Sequence, residues 1–424
     1  MTIYTAPKVS PVPTVLPLAT LSLLAAFASW TLFAILGVRI KDTLVLDEFA
    51  FGVLMAVPML LAGAVSLPLG VLSERWGSRR VMISCLLGLL PFLVWLAIAE
   101  SYLEYLLVGC GLGLTGGLFG AGVRYVARYS SPTRRGLALG CYGAGMMGAG
   151  INFIVVPQME IAFGWHLAPF FNGLMLILAA FLLFIFGEDD CDLRQNPRSS
   201  FRNALELVFD LRLWRICLYY SFVFGGYLAL AFWLPDYLHA HYDVPLAEAG
   251  LLSLFFTVPG AVAQIPGGYL ADRTRARRLN FWVCWISLAC LFILSYPPTS
   301  LVVQGIHGEI AMTLTTSLPL FLVLVCILGT AMGFGAGSTL RLLVSQYPLR
   351  IGVAGGALVA SGGFTGFFLP VLFGIGNTWA GLRSSAFMIL FGLLVVCMLF
   401  MALSNRSRPP CSNNSAGHPD HSWI

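Results

Sequence analysis

Long apolar runs dominate the chain and are separated by short polar segments. Twelve of these runs reach roughly the 20 residues that a helix needs to cross a bilayer. They are continuous, whereas the strands of a membrane barrel alternate between apolar and polar positions, so the pattern favours helices. The predicted spans, numbered 1 to 12, are 17–38, 49–72, 80–99, 103–128, 136–159, 166–187, 215–236, 246–270, 278–297, 316–343, 352–376 and 383–404.

Two polar segments are longer than the others, one between spans 6 and 7 and one after span 12. The segment 188–214 lies at the midpoint and is predicted to be a linker with a short amphipathic helix near 201–212. The tail 405–424 is polar and proline-containing, which is typical of disorder. The start of the chain shows no cleavable signal pattern. The predicted division is an N-terminal segment 1–16, a six-helix bundle 17–187, the linker 188–214, a second bundle 215–404 and the tail 405–424.

Composition supports a membrane solvent. Only 10% of the 424 residues are charged and 58% are hydrophobic, whereas soluble domains carry roughly 25% charged residues. The arginines stand in short loops and form no patch that could follow a phosphate backbone, so nucleic acid is not an expected partner. The ten cysteines are scattered without a CxxC pair, so neither a metal nor another cofactor is predicted. His239 and His241, beside Asp236 and Asp243, allow either a weak external metal site or a solvated loop.

Arginine placement predicts the orientation. Short loops rich in lysine and arginine remain in the cytoplasm. The loops after even-numbered spans carry most of the arginines, which places these loops and both termini in the cytoplasm of a bacterial-type inner membrane. These arginines are Arg75, Arg79, Arg80, Arg134, Arg135, Arg194, Arg198, Arg202, Arg212, Arg273, Arg275, Arg277, Arg278 and Arg350.

The two halves of the chain repeat. The segment GVLSER at 70–75 recurs 198 residues later as GYLADR at 268–273, and PTRRG at 132–136 recurs 216 residues later as PLRIG at 348–352. The difference of 18 residues predicts an insertion near 298–315. Parallel six-span repeats are the usual plan of an alternating-access carrier. The predicted fold is therefore an all-α membrane protein, with twelve transmembrane helices in two six-helix pseudo-symmetric bundles, and the protein is expected to be a monomer.

The segments 70–80 and 268–278 each place an acid and several arginines at a helix end. Such groups can form a charge network with a neighbouring helix end that breaks and re-forms as the halves move; a plain positively charged loop is the alternative. The pair resembles the cytoplasmic signature of the major facilitator superfamily, and the resemblance covers nearly the whole chain. The residues expected to act as a gate are Glu74, Arg75, Arg79, Asp272, Arg273 and Arg277.

Glycine is dense in spans 4, 5, 10 and 11, in the segments 109–122, 136–150, 333–337 and 352–370. Small residues let helix backbones approach closely. Together with the segment 30–70, this pattern resembles the nitrate/nitrite porter family. The resemblance implies anion transport, with one anion-holding arginine in span 2 and one in span 8. Ser66 and Gln264 stand at those two positions, so the scaffold is expected to be shared and the substrate is left open.

Two other arginines lie inside predicted spans, Arg124 in span 4 and Arg341 in span 10, at nearly equivalent positions of the two halves. A charge inside a span is costly unless it faces water or a partner, so a clamp for an anion is one hypothesis. The alternative is contact with a helix end, because Arg124 stands only about 12 Å from the end of its span at 1.5 Å per residue.

The remaining predicted contacts are aromatic or uncharged. Tyr125, Tyr219 and Tyr220 are interpreted as packing residues, whereas Trp30, Tyr142 and Tyr227 are proposed to line the cavity with Ser66 and Gln264. All 19 acids fall in loops or at predicted span ends, which argues for exchange, facilitated flux, or a proton carried with the substrate.

The sequence therefore predicts a transporter for a small polar, anionic solute, with nitrate or nitrite as the first hypothesis. An organic anion or another small oxyanion is the second. A membrane sensor or assembly factor that kept the scaffold is a third. An enzyme is not expected, because no nucleophile and base pattern stands at a suitable depth.

Overall fold

The computed structural model describes residues 13–189, 206–207, 209–297, 299–305, 308–314 and 316–406. Most of the predicted N-terminal segment, tail and linker lies outside the described residues, including Arg194, Arg198, Arg202 and much of the predicted amphipathic helix. Of the linker the structure describes 188–189, 206–207 and 209–214, and span 7 already begins at Leu211. The domain boundaries therefore stay predictions.

Twelve helices in the described residues are long and apolar enough to cross a membrane, and each corresponds to one predicted span. Several continue beyond the predicted ends by a turn or more. Their bounds are Val15–Leu44, Glu48–Trp76, Ser78–Ile98, Tyr102–Tyr129, Arg135–Phe163, Trp165–Phe186, Leu211–Tyr242, Leu246–Arg273, Ala276–Leu294, Leu318–Gln346, Ile351–Trp379 and Ser385–Leu403.

Several spans are interrupted part-way. Spans 1, 4 and 8 break at Leu32, Gly113 and Ala263. Span 5 passes through a 3₁₀ stretch at Ala144–Met147, and span 7 through a π-helical stretch at Ser221–Gly226. Interrupted helices are common where transporters bind their substrates, and π-helical turns are frequent at functional sites.

One hairpin lies between spans 9 and 10. Strand β1, Thr299–Gly305, pairs antiparallel with β2, Gly308–Leu314, in a register that sets Thr299 opposite Leu314. The hairpin occupies the insertion that the two repeat offsets predict near 298–315. The hydropathy pattern predicts no strand, so this element adds to an otherwise helical fold.

Spans 1–6 form one half and spans 7–12 the other. Span 2 packs along span 11, and span 5 along span 8. Contact between spans 2 and 11 runs from Gly52, beside the carbonyl of Pro370, to Gly70, beside the carbonyl of Gly352. The side of the molecule that holds 70–80 and 268–278 is called the motif end, and the other side the far end. This architecture confirms the predicted twelve-helix, two-bundle fold.

One prediction about the acids is wrong. Span 7 continues to Tyr242, so Asp236 lies six residues inside the helix and not at its end, and its side chain is 2% exposed. Its partner is Lys41, whose Nζ lies 2.9 Å from Oδ1, and an ionised side chain inside a span is tolerated when it is paired. A carboxylate is therefore buried within a span of this protein.

Candidate functional site

At the motif end, Asp272 joins the last turn of span 8 to the first turn of span 5. Its two carboxylate oxygens accept hydrogen bonds from the backbone N–H groups of Gly136 and Leu137, each at 3.0 Å. The first N–H groups of a helix have no partner within the helix and carry partial positive charge. Asp272 therefore caps a helix that belongs to the other half.

Glu74 makes the equivalent contact on the opposite side of the motif end. Its Oε1 accepts from the N–H of Val353 at 3.1 Å, in the first turn of span 11. Arg124 and Arg350 are close enough to attract this carboxylate electrostatically. Two pseudo-symmetric contacts, called the capping bonds of Asp272 and Glu74, thus connect the halves, each between a carboxylate of one half and a helix N-terminus of the other.

Arg124 and Arg341 support these acids from within their own halves. Arg341 Nε lies 2.6 Å from Asp272 Oδ1. Arg124 Nη1 donates to the carbonyl of Ser73 at 2.7 Å and to Ser78 Oγ at 2.8 Å, beside Glu74. The two guanidinium groups are thus held at the motif end, as in the helix-end alternative. The physical reason is reach, because each arginine stands within two or three turns of an acid or a carbonyl at a helix end.

Glycines allow the backbones to meet beside both acids. A Cβ added at Gly136 would collide with the carbonyl oxygen of Gly268, and one at Gly268 with the carbonyl oxygen of Gly136. Gly70 and Gly352 face each other in the same reciprocal way. Only a residue without a side chain fits such an approach.

Arg79 and Arg273, two of the other predicted gate residues, make their described contacts within their own halves. Arg79 Nη1 pairs with Asp189 at 2.8 Å, and its Nε donates to the carbonyl of Leu183 at 3.1 Å, so it ties span 3 to the end of span 6. The guanidinium carbon of Arg273 lies 4.4 Å from the ring centroid of Tyr269 on its own helix. Arg75 is exposed and Arg277 is half-buried.

Deeper between the halves, four aromatic rings form a continuous group. The ring centroid of Phe119, in span 4, lies 5.6 Å from that of Tyr142 and 5.2 Å from that of Phe224. Phe224 in turn stacks on Tyr220 at 4.9 Å. Phe119 and Tyr142 belong to the first half, and Tyr220 and Phe224 belong to the second. Tyr220 directly precedes the π-helical stretch that begins at Ser221, and Phe224 lies within it. These four residues are called the aromatic group.

Gln264 contacts Gly143, the residue that follows Tyr142 in span 5, and so joins the two halves. Its Nε2 donates to the carbonyl of Gly143 at 3.1 Å and lies 2.9 Å from Met146 Sδ, both in span 5. Ser66, the equivalent position in span 2, instead donates to the carbonyl of Gly63 on its own helix at 3.0 Å. Both side chains are buried. The structure therefore places Gln264, but not the Ser66 hydroxyl, in a cross-half contact.

Two polar atoms in this region are buried without a hydrogen-bond partner among the residues that the structure describes. They are the hydroxyl of Tyr220 and Oε1 of Gln264. The Tyr142 hydroxyl, by contrast, lies within hydrogen-bond distance of the carbonyls of Leu118 and Phe119, at 3.3 and 3.1 Å. Buried polar groups that lack a partner are costly and call for an explanation such as a ligand. Tyr220 and Gln264 can therefore offer a hydroxyl and an amide to a bound solute.

The described hydrogen bonds of Trp30 and Tyr227 are made to residues outside the aromatic group. Trp30 Nε1 donates to the carbonyl of Pro58 at 3.3 Å, and its ring meets Phe232 across the halves at 6.4 Å. The Tyr227 hydroxyl donates to the carbonyl of Thr257 at 2.7 Å within the second half. Trp30 thus lies between the halves, whereas Tyr227 joins spans 7 and 8.

The sequence pattern does not predict Phe119 or Phe224 as site residues, and it predicts a packing role for Tyr220. One signal could have identified Phe119, since it is the one aromatic residue in the glycine-rich segment 109–122. No comparable signal marks Phe224 and Tyr220, since their placement depends on the π-helical stretch, which the hydropathy pattern does not show.

A separate cavity of about 280 Å³ lies at the far end of the first half. Span 1 and the starts of spans 4 and 6 line it, with Arg39, Glu100 and His166 as its charged or titratable residues. It is away from the contact between the halves. Within the described residues, no three histidine, cysteine or acidic side chains come together as a metal site would require.

Comparison with known proteins agrees with this architecture. The family model of the Major Facilitator Superfamily matches residues 18–313. The probable nitrate/nitrite antiporter NarK1 of Thermus thermophilus is 32% identical over 403 residues, which cover 92% of this chain and 91% of the relative. The nitrite extrusion protein of Bacillus subtilis (strain 168) is 28% identical over 405 residues, covering 94% of this chain and 97% of the relative.

A solved structure shares the fold. The crystal structure of the human organic anion transporter MFSD10 (TETRAN) superposes with a TM-score of 0.70 at 15% identity, and the match covers 91% of this chain and 98% of that one. The family match extends over most of the chain. The relatives that match along nearly their whole length are named as nitrate/nitrite or nitrite transporters, which confirms the predicted resemblance. The chain belongs to the Major Facilitator Superfamily.

Proposed function

We propose that this protein is a secondary transporter of a small anion, of the nitrate or nitrite kind, which works by alternate opening of the motif end and the far end. The observation that carries the proposal is the pair of capping bonds by Asp272 and Glu74. Each connects one half to a helix N-terminus of the other. Such bonds can break and re-form as rigid bundles rock. The arginine-rich loops support a cytoplasmic motif end.

The proposed substrate site is the aromatic group together with Gln264. It lies between the halves beside the interrupted stretches of spans 5 and 7, as the sites of carriers commonly do. The Tyr220 hydroxyl and the Gln264 amide would supply the hydrogen bonds, and the aromatic rings would exclude water. Ser66 and Trp30 would border the path. Arg124 and Arg341 are assigned to the gate at the motif end, from which their charge still favours anions at the cavity mouth.

The anion class rests on the names of the relatives, nitrate/nitrite antiporter and nitrite extrusion protein. A second candidate is another small oxyanion or an organic anion. It is favoured by one observation, the uncharged Ser66 and Gln264 at positions where the resemblance implies arginines. A site without a fixed cation discriminates less strongly in favour of one small anion.

The test is uptake into proteoliposomes of labelled nitrite, nitrate and a panel of organic anions, against protein-free liposomes. Wild type is compared with Arg124→Gln and Arg341→Gln. The proposed gate role predicts that both variants lower the maximal rate and leave the KM near wild type. A rise of KM in both would favour the clamp. Absence of uptake of every anion, under imposed anion and proton gradients and with internal anion present, would contradict the transport proposal.

A further inference from the structure

Four charged side chains meet at the far end. Lys41 Nζ lies 2.9 Å from Asp236 Oδ1 and 3.0 Å from Glu48 Oε1. Arg383 completes the set, with Nη1 3.4 Å from Asp236 Oδ2 and Nη2 3.5 Å from Glu48 Oε1. Acids and bases alternate, and every member contacts both neighbours of opposite charge. These four residues are called the far-end ring.

Each half contributes one acid and one base to the ring. Lys41 and Glu48 stand at the end of span 1 and the start of span 2, whereas Asp236 belongs to span 7 and Arg383 to the connection between spans 11 and 12. Two of the four contacts therefore cross between the halves, Lys41 with Asp236 and Glu48 with Arg383. The other two lie within a half. Asn377 of span 11 adds a further cross-half bond to Glu48 at 3.4 Å.

Two members of the far-end ring are buried, which makes the loss of an ionic partner costly there. The side chain of Asp236 is 2% exposed and that of Lys41 is 13% exposed, and a buried charge that loses its partner is strongly destabilising. In the far-end ring, however, each acid keeps a base from its own half if the halves separate. Separation breaks two contacts and leaves two neutral pairs. The ring can therefore open without leaving any charge unpaired, which a single cross-half ion pair cannot do.

An aromatic layer lies directly below the ring. Lys41 Nζ is 4.5 Å from the ring centroid of Phe51. Phe51 packs on Trp233 at 5.3 Å, and Trp233 on Phe373 at 5.6 Å. This layer connects spans 2, 7 and 11 and so also crosses between the halves. A ring of charged side chains and a layer of aromatic side chains thus lie against each other between the halves at the far end.

We propose that the far-end ring is the gate of the far end, the counterpart of the two capping bonds at the motif end. Its cross-half contacts form when the far end closes, and its within-half contacts hold the charges when that end opens. The inference rests on the proposed function only in assuming that the two ends open alternately. It is independent of which solute is carried.

The chain offers a matched control at the same end. Arg39 and Glu160 form an ion pair between spans 1 and 5, both in the first half. Removal of this pair costs a charge contact at the far end but breaks no contact between the halves. Arg39→Gln therefore separates the effect of a lost gate from the effect of a lost surface charge.

The test measures how readily the far end opens in protein reconstituted into lipid nanodiscs. Phe51→Cys places a thiol below the ring, and its rate of reaction with a small maleimide is compared in backgrounds that carry Asp236→Asn, Lys41→Gln or Arg39→Gln. The same proteins without Phe51→Cys give the rate of the native cysteines. The double variant Lys41→Gln with Glu48→Gln removes both cross-half contacts and keeps the charge balanced, and it leaves the buried Asp236 paired with Arg383 of its own half, so it guards against misfolding of the single variants.

The expected result is labelling about fivefold faster or more in the single and double ring variants, the change produced by roughly 1 kcal/mol in an opening equilibrium, with Arg39→Gln at the parent rate. Equal rates in all variants would overturn the proposal, as would the same acceleration by Arg39→Gln. Labelling needs no substrate. If the ring variants label faster but no anion is taken up, the gate stands and the proposed function fails. Anion uptake with unchanged labelling would instead support the proposed function and overturn the gate.

Discussion

The Arg341 guanidinium lies on the Asp272 carboxylate, with 2.6 Å between Nε and Oδ1. The same carboxylate caps span 5 of the other half through the N–H groups of Gly136 and Leu137. One acid therefore connects a base of its own half to a helix N-terminus across the interface. Because one side chain makes all of these contacts at once, Asp272 links span 10 to the first turn of span 5.

Asp272→Asn is expected to loosen the motif end. The amide keeps the size of the side chain but loses the charge, and its NH₂ group faces the helix N–H groups unfavourably. A hydrogen bond to a charged group contributes about 1.5–3 kcal/mol, so the maximal uptake rate is expected to fall about tenfold or more. Initial uptake rates in proteoliposomes provide the measurement. Asp189→Asn is the control, because Asp189 pairs with Arg79 within one half and is 52% exposed, and exposed pairs contribute little.

Gly268→Ala is expected to prevent the same closure by a steric route. The added Cβ would collide with the backbone carbonyl of Gly136, which cannot move without displacing span 5. Uptake is expected to fall strongly, and Gly136→Ala should reproduce the effect. Gly392→Ala in span 12 is the matched control, since a Cβ there has nothing within 4 Å. If Gly268→Ala and Gly392→Ala transport equally well, the close approach is not required for function.

The symmetry of the two halves could be predicted from the sequence, because the repeat offsets relate equivalent residues. The 198-residue offset relates Ser66 to Gln264, and the 216-residue offset relates Gly140 to Gly356. In the structure the carbonyl of Ser66 packs on Gly356, and that of Gln264 packs on Gly140. Equivalent residues thus make equivalent contacts, as a duplicated bundle requires.

The contacts of the Arg124 and Arg341 side chains and the burial of Asp236 could not be predicted in the same way. Sequence gives the depth of Arg341 along its helix, but a side chain of that length can reach either a cavity or an acid at the helix end, and only the packing decides. The fall in hydropathy after Asp236 predicts a span end there. In the structure the helix continues to Tyr242, and Asp236 contacts Lys41, 195 residues earlier in the chain, a contact that no local pattern reports.

Gln264→Arg places an arginine at the position of span 8 where the resemblance to the nitrate/nitrite porter family implies one. The side chain is 1% exposed, and its described hydrogen-bond partners are a carbonyl and a thioether. A guanidinium there would be a buried charge without a described acid partner, so the variant is expected to lose about 3–5 kcal/mol of stability. Thermal unfolding in detergent measures the loss.

Nitrate should restore part of that loss, because the anion would pair with the new charge and bind only the folded protein. The rise in Tm with sodium nitrate, relative to sodium gluconate, is expected to be larger for Gln264→Arg than for wild type. Gln346→Arg, at the end of span 10, serves as the control for an added arginine. A nitrate effect of equal size in all three proteins would speak against a site at Gln264.

Tyr220→Phe tests the aromatic group as the substrate site. The variant removes only a hydroxyl that is buried without a partner in the described part of the chain, so the fold should tolerate it, and thermal stability is expected to be equal to wild type or slightly higher. If the hydroxyl donates to the substrate, the KM for the transported anion should rise about five- to tenfold, the effect of a lost hydrogen bond of about 1 kcal/mol. Tyr219→Phe is the closest control, because its hydroxyl is also buried without a described partner but lies beside Gly335 of span 10, away from the aromatic group. A KM that rises equally in both variants, or in neither, would remove Tyr220 from the substrate site.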